Sequence, residues 1–343
     1  MKYNLTEYSH GAGCGCKLSP GVLSDILGTD ELQSSFPRLL VGNETKDDAA
    51  VVNLDGKTAI VSTTDFFMPI VDDAEDFGAI AATNAISDIY AMGAEPIVAI
   101  AILGWPIDKI PANVAGEVLR GARKVCADAG IALAGGHSID APEPIFGLAV
   151  TGQIDIHQIK KNTAGITGDL LYLTKPLGIG LVTTAQKKKV ASDKDLIIAK
   201  SSMLTLNKIG QDLASLSYVH AMTDVTGFGL GGHLIELCDG GNTSAEVFFD
   251  QIPKFEFVAK YLSLNCIPGG TMRNWKTYGH RIRVNDDNHH KILADPQTSG
   301  GLLISVDPYY QRDFEDFMKH RNYLIRPIGS LVVRSNEIAI SVL

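Results

Sequence analysis

The stretch with the densest reactive chemistry in the 343-residue chain covers residues 8–17, Tyr-Ser-His-Gly-Ala-Gly-Cys-Gly-Cys-Lys. Gly11, Gly13 and Gly15 permit backbone angles closed to other residues, so the spacing predicts neither regular helix nor strand here. Cys14 and Cys16 bracket Gly15, and Lys17 follows directly, which puts an ammonium beside a thiol that must ionise before it can attack. Other readings exist. With His10 the two cysteines could form half of a structural metal site, although the Cys-x-x-Cys spacing and a second cysteine pair downstream are missing. A glycine-rich chain end can also be a disordered tail, but such a tail needs neither paired thiols nor a lysine.

The second set of candidates is acidic. Residues 42–48 read as a polar turn in which Asp47 and Asp48 adjoin Lys46, and their mutual repulsion demands a cation or hydrogen-bond donors unless the turn is simply solvated. Asp65 is expected at the carboxyl end of a strand over 59–64, where α/β proteins place ligand-handling groups and where a capping aspartate is equally at home. Asp88 shares a helical face with Asn84 in an otherwise apolar helix expected over 79–92; if buried, it needs a metal, a cap or a salt bridge. A further strand is expected to end at Asp224. Solvated aspartates are common, so each is weak alone. Together, Asp48, Asp65, Asp88 and Asp224 offer hard oxygen ligands suited to magnesium holding polyphosphate oxygens, with Lys17 and Lys46 screening the charge. Neither a GxxxxGK[ST] loop nor a dinucleotide-type glycine fingerprint occurs, so a bound ATP must be gripped through such metals.

The elements that must position these groups follow from the apolar pattern. A short helix after Ser19-Pro20 anchors the glycine-rich loop, and strands are expected over 49–52, 96–103, 131–134 and 145–153, with an amphipathic helix over 114–126. Residues 135–138 (Gly-Gly-His-Ser) read as a turn able to offer N–H groups to an anion, although a lone His there is commonly just a turn residue. A second half begins near 155–165, with a strand over 170–174, a long helical pattern over 201–215, a helix over 230–238 and a strand over 302–306 after a polar turn at 295–301. Lys187, Lys188 and Lys189 read as a solvated loop or helix end. Cys126 and Cys238 fall at core spacing and Cys266 reads as turn packing.

Length and composition bound the function. The chain is long enough for one large domain or two medium ones, each with a buried core, and 45% hydrophobic content fits a globular protein. Five cysteines suit a reducing compartment, and the absence of a leader-like or membrane-spanning run predicts a cytoplasmic protein. A net charge of −9 argues against a nucleic-acid footprint. On these grounds alone the chain is an enzyme or ligand binder with acidic pockets and a reactive thiol loop.

The segments SHGAGCGCK, GNETKDDAA, STTDFFMPI, ATNAISDIYAMGA, GGHSIDAPEPIFGLAVTG, TDVTGFG and DPQTSGG closely resemble those of the selenophosphate synthetases, over nearly the whole chain. The resemblance implies an α/β (α+β) two-domain fold like that of aminoimidazole ribonucleotide synthetase, with amino-terminal domains pairing into a β-barrel at a homodimer interface. It implies a flexible catalytic loop over 1–17, an ATP- and Mg-binding domain over 18–157 and a second α/β domain over 158–343. The implied reaction converts ATP, selenide and water to selenophosphate, AMP and orthophosphate, serving selenoprotein and selenonucleoside synthesis. Carried over residue by residue, Cys14 matches the catalytic cysteine and Lys17 the lysine needed for catalysis and ATP contact. Thr45, Lys46, Asp47, Asp65 and Asp88 match nucleotide-binding positions, and Gly136, His137 and Ser138 match a segment reaching ATP across the dimer. Asp48, Asp88 and Asp224 match the magnesium ligands. A monovalent cation such as K+ and a selenium-delivery protein are further candidate partners; no membrane or nucleic-acid partner is expected. A kinase of the same superfamily acting on a carbon or nitrogen substrate, and a selenium or metal carrier, remain as alternatives.

Overall fold

The computed structural model describes residues 3–18, 20–27 and 36–343. Its first sheet runs β1-β2-β3-β6-β4-β5, made of β1 (Leu39–Val41), β2 (Ala50–Asn53), β3 (Thr58–Phe67), β4 (Glu95–Trp105), β5 (Ala132–Asp140) and β6 (Ile145–Asp155). All neighbours pair antiparallel except β4 and β5, which are parallel. The second sheet runs β10-β13-β9-β12-β7-β11-β8, from β7 (Leu170–Leu173), β8 (Val219–Asp224), β9 (Thr243–Val247), β10 (Ile282–Arg283), β11 (Leu302–Val306), β12 (Gly329–Val333) and β13 (Ile340–Val342).

Helix α1 (Pro20–Leu27) follows the glycine-rich segment, and its expected cap, Ser19, lies outside the described residues. One face of the first sheet is covered by α2 (Ala74–Ala91) and α3 (Ala112–Asp128). Helix α2 is opened by Asp73, whose carboxylate accepts from Asp76 N–H, and it is buried almost all round, its apolar faces in the core and its Asn84–Asp88 face against other parts of the chain. It packs on β3, β6 and α3 and also touches β8, α5 (Asp193–Met203) and α6 (Ile209–Ala214) of the second half. The α2–α3 crossing is tight: a Cβ at Gly78 would sit 1.8 Å from Val118 O, and one at Gly121 would sit 1.9 Å from Glu75 O. α2 is thus the beam between the two halves, and the main apolar core runs continuously through both. The second half adds α4 (Ile179–Lys187), α7 (Gly229–Gly240) and α9 (Gly269–Tyr278), with α8 (Val258–Ser263), α10 (Asp287–Leu293) and α11 (Gln311–Lys319) completing its shell. Among the described residues no helix is long and apolar enough to cross a membrane.

Four local expectations need correcting. The glycine-rich segment is not free of helix: 3-10 turns form at Leu5–Tyr8 and Gly13–Cys16, the second held by Cys14 N–H on Thr298 Oγ1 and Gly13 N–H on Met68 O. Asp65 does not end its strand but sits inside β3, facing inward with Val61, Thr63 and Phe67 by the two-residue alternation. The Gly-Gly-His-Ser run is no turn; it lies within β5, where register shifts between Ala99 and Ala101 and the two glycines take φ of 148° and 149°. A bulge explains both, because an extra residue in one strand is accommodated by glycine most readily. The helical pattern over 201–215 is broken between α5 and α6, where buried Asn207 donates to Ser87 Oγ and Gly300 O at 2.8 Å each.

The lysine run is indeed a helix end: Lys187 closes α4 and Lys188 caps it. Cys126, Cys238 and Cys266 are buried, and burial pushes the first two thiols up to about 11 and about 12.

Candidate active site

The site forms where four chain segments converge on the carboxyl half of α2. Inward-facing positions of β3 bring Thr63 and Asp65, and one face of α2 brings Asn84, Ser87 and Asp88. The turn before β2 brings Asp48, and Asp224 ends β8. The buried turn 295–301 closes the far side with Thr298 and Ser299.

Asp48, Asp88 and Asp224 each offer an oxygen within 4.8 Å of the others. Thr223 donates to Asp48 Oδ1 at 2.9 Å and Thr63 to Asp88 Oδ2 at 2.5 Å. Asp48 Oδ2 and Asp224 Oδ2 are buried without a hydrogen-bond partner. Burial first, then mutual repulsion, lifts Asp48 and Asp88 well above the usual carboxylate range, and burial lifts Asp224 as well. Orphaned buried carboxylate oxygens aimed at one point are costly, and a hard divalent cation of the magnesium type relieves all three at once. The residues present fit such an ion.

Beside this cluster sits the thiol segment. Cys14 is 1% exposed, and its S–H donates to Asn84 Oδ1 at 3.2 Å. Asn84 is fixed in orientation, since Oδ1 also accepts Ser299 N–H at 2.7 Å and Nδ2 donates to Asp65 Oδ2 at 2.5 Å. In this arrangement Cys14 is therefore a thiol facing an acceptor. Lys17 Nζ pairs with Asp65 Oδ2 at 3.1 Å. Burial alone would lower the Lys17 ammonium, but the carboxylates of Asp65 and Asp88 oppose it and hold it above its ordinary value. A charged amine, a thiol and four carboxylates, that of Asp65 and those of the three-aspartate cluster, thus meet at one site. The Cys16 side chain lies outside the described residues.

The remaining predicted residues divide. Both oxygens of Asp47 are taken, by Asn162 N–H at 2.7 Å and Thr45 Oγ1 at 2.5 Å, so Asp47 shapes the turn. Lys46 adopts φ 55° and its carbonyl accepts from Asn162 Nδ2, leaving Thr45 and Lys46 exposed at the turn's tip. Gly136, His137 and Ser138 do not join the cluster within one chain. They lie exposed on edge strand β5, three strand spacings from β3, roughly 14 Å. Thr63, Thr223, Thr298 and Ser299 were not singled out from sequence. Only Thr63 left a signal, its two-residue offset from Asp65; the others are brought in by tertiary contact. His233 is another: Thr226 N–H donates to its Nε2 at 3.2 Å, fixing the turn after β8.

The two-domain architecture agrees with the comparisons. Residues 46–154 match the family AIR synthase related protein, N-terminal domain, and residues 167–341 its C-terminal domain. The fold is shared with a solved structure described as AaThiL complexed with AMPPCP and TMP, at TM-score 0.67 and 15% identity, covering 95% of this chain and 93% of that one. Among curated relatives, selenide, water dikinase of a Shewanella species is 60% identical over 327 residues, 95% of this chain and 93% of its own. The Pseudomonas putida selenide, water dikinase is 55% identical over 333 residues, 97% of both chains. The chain belongs to the selenide, water dikinase family.

Proposed function

We propose that this protein makes selenophosphate from selenide, ATP and water, releasing AMP and orthophosphate. The observation that carries the reading is the Cys14–Asn84–Asp65–Lys17 network set against the three-aspartate cluster, because simple phosphoryl transfer to an alcohol or amine needs no buried thiol. Asp48, Asp88 and Asp224 would hold Mg2+, which when bound neutralises charge on the phosphoryl oxygens. Lys17, held by Asp65, places an oriented ammonium against developing negative charge. Cys14 meets the selenium at the reacting end, as carrier or as guide. Thr45, Lys46 and Asp47 form the turn that receives the nucleotide together with Asp65. A fold neighbour solved with the nucleotide analogue AMPPCP supports ATP use.

The same reading assigns 1–17 to a mobile catalytic loop, 18–157 to the nucleotide-binding domain and 158–343 to the second domain. It makes the protein a cytoplasmic homodimer in which Gly136, His137 and Ser138 reach the partner's nucleotide; K+ and a selenium-delivery protein complete it. Support for the pairing is that β5 is exposed on both faces and that Val52, Phe66, Ile97 and Ile100 leave apolar surface on the first sheet uncovered.

Incubation with ATP, Mg2+ and selenide, followed by phosphorus NMR, tests the reaction. The expected products are AMP, orthophosphate and a P–Se signal. ADP formed without selenide would indicate a kinase of another substrate, and unchanged ATP a carrier. Cys14→Ser should abolish selenide-dependent AMP while the unfolding midpoint stays near wild type; full activity removes the cysteine from the mechanism.

A further inference from the structure

A cavity of about 290 Å3 opens against residues 10–12 and Gly15, and none of Asp48, Asp65, Asp88 or Asp224 contributes to its wall. In a chain of net charge −9 this wall carries His10, Lys187 and Arg273, and among the described residues lining it there is no carboxylate. Lys187 Nζ donates to Gly11 O at 3.0 Å and Arg273 Nη2 to Gly15 O at 2.8 Å, so both cations are held at the thiol segment. His10 pairs with Glu143 at 2.9 Å, and the cationic side chains of the wall are then Lys187 and Arg273. One carbonyl takes only one of the five donors of a guanidinium. Behind the wall, Asp295 accepts from Gly180 N–H at 3.1 Å, and burial pushes its carboxyl up to about 8, so at neutral pH it cancels little of the positive charge. Thr298 lines the cavity and receives Cys14 N–H on Oγ1 at 3.0 Å, which places Cys14 directly behind the lining.

We propose that this cavity is the port through which a small chalcogenide anion reaches Cys14, with Lys187 and Arg273 as its anion-binding groups. The inference rests on the dikinase reading above. Its physical basis is charge separation: a small anion is repelled by the carboxylate cluster and drawn to a basic, concave wall, which concentrates it locally. The nucleotide and the chalcogenide therefore approach the thiol from different surfaces.

The test is the double variant Lys187→Gln/Arg273→Gln, assayed anaerobically with sodium selenide. The KM for selenide should rise by about tenfold while the KM for ATP stays near wild type, and Arg273→Lys should recover part of the loss. An unchanged selenide KM, or an equal rise in both constants, overturns the port. A second readout needs no turnover: Cys14 alkylation by iodoacetate and by iodoacetamide, followed by mass spectrometry. Wild type should favour the anionic reagent, less so at high salt, and the double variant should lose that preference. If the variant speeds both reagents alike, the two cations only tie the loop down and the port is refuted. Should wild type make no AMP from selenide, the dikinase reading fails, while the alkylation ratio still decides whether the cavity attracts anions.

Discussion

The aspartate cluster sets a conflict that a single substitution can expose. Three carboxylates with oxygens within 4.8 Å cannot all ionise cheaply in a buried site, and burial and repulsion already hold them above their usual range. Removing one negative charge should relieve the metal-free protein while destroying its use for Mg2+. In chelator, Asp224→Asn should therefore unfold a few degrees above wild type, equivalent to ~1 kcal/mol, and added Mg2+ should no longer stabilise it. If Mg2+ raises the midpoint of the variant as much as that of wild type, the cluster is not the metal site. Asn84 belongs to the same scale. Its amide joins the thiol, Asp65 and the 295–301 turn, and the Ser299 and Asp65 contacts together tell which end faces Cys14.

Elements carry a different kind of strain. Lys160, 8% exposed, sits where the first sheet hands over to the second half, donating to Leu216 O at 3.0 Å and Val219 O at 2.7 Å. Burial lowers its pKa to about 8. In the unfolded chain a lysine keeps its proton to about 10.4, so between these values the unfolded state binds more protons and stability rises with pH. Below about 8 both states are charged and this term no longer varies with pH. Denaturant unfolding of wild type should gain ~2 kcal/mol relative to Lys160→Met between pH 7.5 and pH 10, read as the difference between the two pH profiles. Parallel profiles would mean that Lys160 stays charged and solvated.

For the whole molecule the open question of physics is the uncovered face of the first sheet. A strand exposed on both sides, next to Ile100 at 47% and Ile139 at 61% exposure, invites a second copy. Pairing there would also deliver His137 to a site that its own chain cannot reach. Ile139→Asp should convert a dimer into a monomer by light scattering and lower selenide-dependent turnover, without lowering the unfolding free energy of the isolated fold by more than ~1 kcal/mol. A wild-type protein that is monomeric at micromolar concentration would sink the arrangement, and with it the role of β5.

Much of the site was legible because its residues carry their chemistry in their type. Cys14 beside Lys17, Asp88 four residues after Asn84, and Asp224 at a strand end all announce themselves by local spacing. Periodicity likewise gives α2 its apolar character, but it ends the strand before Asp65 and so leaves the inward face of β3 unread. What spacing cannot encode is which distant groups fill a buried carboxylate's remaining bonds. That Thr223 reaches Asp48 across 175 residues, and Ser299 reaches Asn84 across 215, depends on α2 being clasped between both halves. Nor could sequence show that Asp47 is consumed by its own turn while its neighbour Asp48 is left with an orphaned oxygen. Both lie in the irregular turn before β2, where no strand alternation fixes their directions, and only the packed tertiary structure decides which of them faces the site.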